Sequence, residues 1–258
     1  MWTSAQLKAN AKLTLKARYG IAIAVSLIAG LLSGGSSPSM GISSFTSSWR
    51  TDSNDVDKMK DFFTQNGEVA GFLFAGIGII VALAVLAGIA VTIFVGAPII
   101  VGQNRFYLQN RLGQGDVGTL FSAFKPGYMN VVKTVFIKNI YIVLWSMLFL
   151  IPGIIKTFEY FMVEYILAEN PHMDSARAIE ISRQMTKGQK MDMFILGLSF
   201  FGWILLSVMS CGIGFLFLTP YMEATYAELY TVLREKAILE GTVSLEELTG
   251  VAPMPAAF

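Results

Sequence analysis

The sequence predicts an all-α integral membrane protein of six transmembrane helices, with a hint of three repeated hairpins and with amphipathic helices on the cytoplasmic side. Three observations predict it. Of 258 residues, 54% are hydrophobic and only 14% are charged, where soluble domains carry roughly a quarter charged residues. Long uncharged runs recur along the chain, the longest being Gly71 to Ile100, long enough to cross a bilayer with tilt. Lysine and arginine collect in alternate connections, as the positive-inside rule requires of a multi-pass protein. A net charge of +1 gives no field that would attract nucleic acid.

The elements follow in order. Residues 3–18 read as an amphipathic helix: Ser4 can cap it, Lys8, Lys12 and Lys16 recur on one side, and Leu7, Ala11 and Leu15 share another. That pattern suits a helix resting on an anionic lipid surface, and equally a basic flank before a first span. The first span is "YGIAIAVSLIAGLL", Tyr19–Leu32, with Gly30 and Gly34 as a weak signal for close helix packing. Residues 34–70 read as an extracytoplasmic loop with a short surface helix in "DVDKMKDFFTQNG". Asp52, Asn54, Asp55 and Asp57 resemble the start of a calcium loop, but Val56 and Asp57 occupy the places of a ligand and the invariant glycine. The second span, 71–100, carries a stripe of Gly71, Ala75, Gly78 and Ala82, which favours a close helix neighbour.

A polar, basic segment follows, broken by Gly113, Gly115 and Gly118, with "TLFSAF" skimming the interface. The third span, "YMNVVKTVFIKNIYIVLWSMLFLIPG", ends in a turn at Pro152–Gly153, and "IIKTFEYFMVEYILAE" returns as an unusually polar fourth. Residues 168–190 then form a cytoplasmic loop whose helix, 174–187, is capped by Asn170 or Asp174 and stopped at Gly188. The fifth span runs from Met191 to about Met209, "SCGIG" turns the chain, and the sixth is "FLFLTPYMEATYAELYTVLREK". Residues 1–236 thus form one membrane domain, and 237–258 a cytoplasmic tail with a capping box at Ser244 and Glu247. Fifteen of the 19 basic residues fall on the side that carries both termini, which is therefore the cytoplasmic one.

Chemistry is sought where charge enters apolar sequence. An intramembrane carboxylate costs about 3 kcal/mol on insertion scales, so Glu159, Glu164, Glu169, Glu223 and Glu228 call for an explanation. Glu164 and Glu223 each follow a turn glycine, Gly153 or Gly212, by the same interval. With Glu159, Tyr160, Tyr221 and Tyr226 they are the candidate lining of a polar intramembrane cavity through which a non-enzymatic protein binds or passes a small or lipidic ligand. The competing reading pairs the deeper acids, with Lys156 three residues before Glu159 and Lys138 opposite the Glu169 end of the hairpin, or lets the helices emerge early and leaves Glu169 and Glu228 in water. A second function class is a scaffold whose 174–187 helix docks a cytoplasmic protein through Ala178, Ile181 and Met185. The lone Cys211 and lone His172 remove disulfides and Cys/His zinc sites and disfavour a histidine triad, so no catalytic residue, metal ligand or cofactor is assigned. Membrane lipid, a small ligand and a protein are the partners expected; nucleic acid is not.

At "SRQMTKGQKMDMFILGLSFFGWILLSVMSCGIGFLFLTPYMEATYAELY", with "LKANAKLTLKARYGIAIAVSLIAGLL", "IPGII" and "YILAENP", the chain resembles the bacterial multi-pass proteins grouped as domain of unknown function 975. More distantly it is similar to the membrane domain of some glycerophosphodiester phosphodiesterases, whose catalytic barrel has no counterpart here. The resemblance implies a bacterial cytoplasmic membrane and supplies no site residues.

Overall fold

A computed structural model describes residues 2–16, 18–33, 67–125, 127–210 and 212–248. Among them there is helix and turn but no strand. Residues 1–41 and 93–258 form one compact unit and 42–92 a second. The 34–66 loop with its acidic cluster, Gly34, Cys211 and the proline-bearing end of the tail lie outside the described residues.

The second unit contains α3 (Gly67–Val91). From Ile79 to Val91 its large apolar side chains are exposed on every side, on a helix long and apolar enough to be a candidate membrane span. Gly78 has open space around it, and Ala82 is exposed, so the small-residue stripe buries neither. The helix continues through a π-helical stretch, Thr92–Gly96, into α4 (Ala97–Asn110).

In the first unit, α1 (Ser4–Lys16) buries Leu7, Ala11 and Leu15, the face its spacing predicts. It turns by 102° into α2 (Tyr19–Leu32). A 3-10 helix, Val117–Phe124, folds back on α4. A β-carbon on Gly102 would come within 1.9 Å of the Leu120 carbonyl oxygen, so only a bare backbone permits that approach. Next comes the hairpin α5 (Tyr128–Leu148) and α6 (Leu150–Glu159), then α7 (Val163–Glu169) and α8 (Ser175–Met185). A second hairpin is built from α9 (Lys190–Leu198), α10 (Phe201–Met209) and α11 (Ile213–Leu239). A final 3-10 turn is Leu245–Leu248.

This unit has two tiers. Toward the hairpin turns, α5, α6, α10 and the start of α11 expose Leu144, Met147, Ile151, Leu206, Met209 and Phe217. At the other end Phe106, Tyr107, Met162, Ile166, Ile181, Tyr230 and Leu233 form an enclosed core. Apolar side chains facing outward at one end only are expected where that end meets hydrocarbon and the other meets water.

The predicted number of spans is corrected. Three helices are long and apolar enough to cross a membrane, Gly78–Asn110, Tyr128–Leu148 and Lys190–Met209, and a fourth only if bent α1–α2 counts as one. The expected fourth span breaks at Tyr160–Met162, and all of α7 is buried in the core. The expected sixth is one continuous helix, but from Leu218 onward it serves mainly the enclosed tier. The turn expected at Pro152–Gly153 is also moved. The chain reverses at extended Phe149, and Pro152 sits in the first turn of α6, where its missing N–H costs little. At the other hairpin, left-handed Gly212 (φ +86°) makes the reversal as expected.

The hint of repeated hairpins acquires a physical basis. β-carbons on Gly153 and Gly214 would lie 2.8 and 2.6 Å from the α-carbons of Ser146 and Ser207, and one on Gly96 3.3 Å from that of Ser33. Each pair of arms is thus pinched where a serine meets a glycine. Ser146 and Ser207 each return their hydroxyl to the carbonyl four residues earlier, at 2.7 and 2.8 Å, which removes a polar group from the outward face.

Candidate functional site

Among the acids in apolar sequence, Glu159, Glu164, Glu169 and Glu228 are held by cations. Glu164 on α7 accepts from Lys138 on α5, and both are buried. Glu159, which closes α6, accepts from Lys156 and from Lys190, each at 2.5 Å. Arg234 on α11 reaches Glu169 at 3.0 Å, and both side chains are 1% exposed. Arg111 binds Glu228 at 2.6 Å and donates to the Thr231 hydroxyl at 2.8 Å. Glu223 is also buried. The expected Lys156–Glu159 pair is present, whereas Lys138 serves Glu164. Glu169 and Glu228, read as solvated, are among the best-enclosed charges. Apart from Lys156–Glu159, which lie on one helix, each pair ties one segment to another, a structural use that offsets desolvation only because both partners are present.

Aligned on the serine–glycine contacts, Tyr160 matches Tyr221 and Tyr165 matches Tyr226, but Glu223 matches Met162 rather than Glu164. The two acids are therefore not equivalent members of a repeat. Tyr160 packs near Tyr141 with Lys156 beside its ring. Tyr226 packs edge-on against Phe161 at 5.1 Å and tilts toward Phe200, which Tyr221 also meets edge-on.

A cavity of about 800 Å³ opens between α1 and the α10–α11 hairpin. Ala5, Lys8, Ala9, Lys12 and Leu15 form one wall, and Trp203, Leu206, Phe217, Leu218 and Tyr221 the other. Of the six residues expected to line a cavity, only Tyr221 lines this one. The cleft exists because α1 docks on α11. Tyr19 donates its hydroxyl to the Phe217 carbonyl at 2.7 Å and stacks on the Phe217 ring, which holds the α1–α2 corner beside the hairpin. Sequence reasoning singled out Lys8 and Lys12 but had no signal for the surface they face, nearly two hundred residues away.

The proposed docking face is turned inward. Ala178, Ile181 and Met185 are 0%, 0% and 4% exposed, since α8 packs on α5, α7 and α11. Ser182, from the same face, donates to the Glu159 carbonyl at 2.7 Å and accepts from the Met162 N–H, fixing the break between α6 and α7. Asp174 caps the helix as expected, accepting from Ala176 N–H at 3.0 Å. What α8 presents outward is mainly polar, with Glu180, Arg183 and Gln184 exposed and Lys187 exposed just past its end.

A family model described as "Protein of unknown function (DUF975)" matches residues 77–237; the N-terminal stretch that carries part of the resemblance lies outside the match. No curated protein and no solved structure matches the chain, and the likeness to the phosphodiesterase membrane domain thus gains no support. With well over half of the chain matched, the protein belongs to the DUF975 family.

Proposed function

We propose that the protein is a non-enzymatic multi-pass protein of the bacterial cytoplasmic membrane that binds a lipidic ligand in the cleft between α1 and the α10–α11 hairpin. The observation that carries this reading is the character of the cleft. It has the volume of a small-molecule site, which spans roughly 300–1,000 Å³. Its long wall of Trp203, Leu206, Phe217 and Leu218 continues the outward apolar tier of the same hairpin. A hydrocarbon chain could enter sideways without passing through water. Both termini are assigned to the cytoplasmic side, because most basic residues flank the enclosed tier. The glutamate cavity is set aside in favour of this cleft, because Glu159 and Glu164 are occupied by lysines and none of the three acids expected to line a cavity lines this one.

The test is photocrosslinking of the full chain in nanodiscs that contain a phospholipid with a diazirine in its acyl chain. Adducts are expected to concentrate on Trp203, Leu206 and Phe217, and to fall severalfold in Ala9→Trp, which fills the cleft from the α1 side, with an unchanged melting temperature. Adducts spread at equal density over Leu144, Met147 and Ile151 would mean ordinary annular lipid and would overturn the reading.

A further inference from the structure

The cleft differs at its two ends. At one, Lys8 and Lys12 stand one helical turn apart on the same wall. Lys8 Nζ donates to the Ser199 carbonyl at 3.3 Å and lies 4.2 Å from the centre of the Phe200 ring. Lys12 Nζ lies 5.8 Å from the Tyr221 ring. Among the described residues neither lysine is in an ion pair, although Glu159, Glu164, Glu169 and Glu228 each hold a cation. Like charges at this spacing repel, and a ring face compensates an ammonium only in part. An anion seated between the two would relieve the repulsion and complete both coordination shells.

Toward the hairpin turn the lining changes. The hydroxyls there are already spent on backbone: Ser207 donates to the Trp203 carbonyl at 2.8 Å and Ser210 to the Ser207 carbonyl at 2.9 Å. What remains is Trp203, Leu206 and Phe217. From Phe200 to Ser210 the helix rises roughly 15 Å at 1.5 Å per residue. The cavity thus runs from a paired cationic end to an apolar end over the length of a chain segment, not of a small solute.

We infer that the occupant is a phospholipid of net negative headgroup, its phosphate seated between Lys8 and Lys12 and an acyl chain laid along Trp203, Leu206 and Phe217. This deepens the lipid-binding reading above and rests on it. The lysines here read one headgroup, a different role from the diffuse attraction of a basic helix to a charged surface.

The experiment compares two tracers of identical diazirine-labelled chains, phosphatidylglycerol and phosphatidylcholine, in nanodiscs of unlabelled phosphatidylcholine that hold the full-length protein. The expected yield at Phe217 favours phosphatidylglycerol by roughly tenfold or more, given about fivefold for each lysine near a lipid surface. In Lys8→Gln/Lys12→Gln the ratio falls to near one while adducts at Phe217 persist. Lys8→Arg/Lys12→Arg restores it. Lys16→Gln, on the same helix but outside the cleft, leaves it unchanged. A ratio near one in the unaltered protein overturns the inference. So does an equal loss in Lys16→Gln, which would indicate only a surface field, and so does full competition by inorganic phosphate, which would indicate a free-anion site. Loss of Phe217 adducts for both tracers in the unaltered protein would sink the lipid-binding reading as well.

Discussion

Among the described residues, Arg234 is the largest side chain wholly enclosed by the fold. Its Nε reaches Glu169, and its Nη2 donates to the Leu248 carbonyl. From the sequence, Arg234 counts as one more cytoplasmic positive charge and Glu169 as an acid at the water's edge. Neither reading foresees that they meet. Their partnership spans 65 positions, and charge patterning reports side, not pairing. Lys156 and Glu159, three residues apart on one helix, were by contrast legible, because helical geometry alone brings them together. A buried pair of this kind costs much to break and little to replace. Glu169→Gln should therefore destabilise the protein by about 3–5 kcal/mol, the usual cost of leaving a buried charge uncompensated. Glu169→Leu combined with Arg234→Met should recover most of that loss. Thermal unfolding of the detergent-solubilised protein reads both, and a melting temperature unmoved by the single change would refute a stabilising role.

At the scale of elements, prediction from sequence succeeded where a single helix explains its own pattern. The buried face of α1, the Asp174 cap of α8 and the capping box of the tail needed no tertiary knowledge. Half of the box forms, with Ser244 N–H donating to Glu247 at 3.0 Å, while the Glu247 N–H goes to the Ser244 carbonyl at 3.2 Å. Its destination was not legible. Glu247 also accepts from Arg177 Nε at 2.9 Å and Nη2 at 3.1 Å, while Val243 and Leu248 are buried, so the tail begins as a clasp across α8 and α11. Hydrogen bonds from Arg177, then that from Ser244, hold the Glu247 carboxyl below its ordinary value of 4.5. A carboxyl whose folded value is depressed contributes stability above its unfolded value, and the contribution is lost as pH falls through the folded one. The clasp should hold at neutral pH and loosen progressively below about pH 4.5. The pair is about one-third exposed, so the effect is screened and stays below about 1 kcal/mol. Hydrogen exchange at Val243 and Leu248 against pH measures it. Glu247→Gln should weaken protection at neutral pH and flatten the dependence; an unchanged profile in that variant would show that Arg177 does not hold the clasp.

For the whole molecule, the sequence pattern overstated the number of helices long and apolar enough to cross a membrane, six expected against three, or four if the bent pair is one span. An apolar run can leave its side chains exposed, as α3 does, or bury them in protein, as α7 does, and hydropathy does not distinguish the two. The serine–glycine pinches show why the hairpins resemble one another, although the resemblance that spacing suggested between Glu164 and Glu223 is displaced by two positions. Orientation remains the global property with the sharpest test. If most basic residues flank the enclosed tier because that tier is cytoplasmic, the α5–α6 turn must face the other way. Single cysteines are placed at Met147, Lys187 and Glu240 in a Cys211→Ser background and probed in intact cells with a membrane-impermeant maleimide. Position 147, 82% exposed beside the reversal at Phe149, should label from outside. Positions 187, just past the end of α8, and 240, at the end of α11, should label only after permeabilisation. Labelling of 187 in intact cells would invert the topology, and with it the face from which Lys8 and Lys12 meet the bilayer. Protection of all three until the membrane is opened would mean that the hairpins enter the bilayer without crossing it. In that case the apolar tier is a wedge seated in one leaflet, and the cleft could exchange lipid with that leaflet alone.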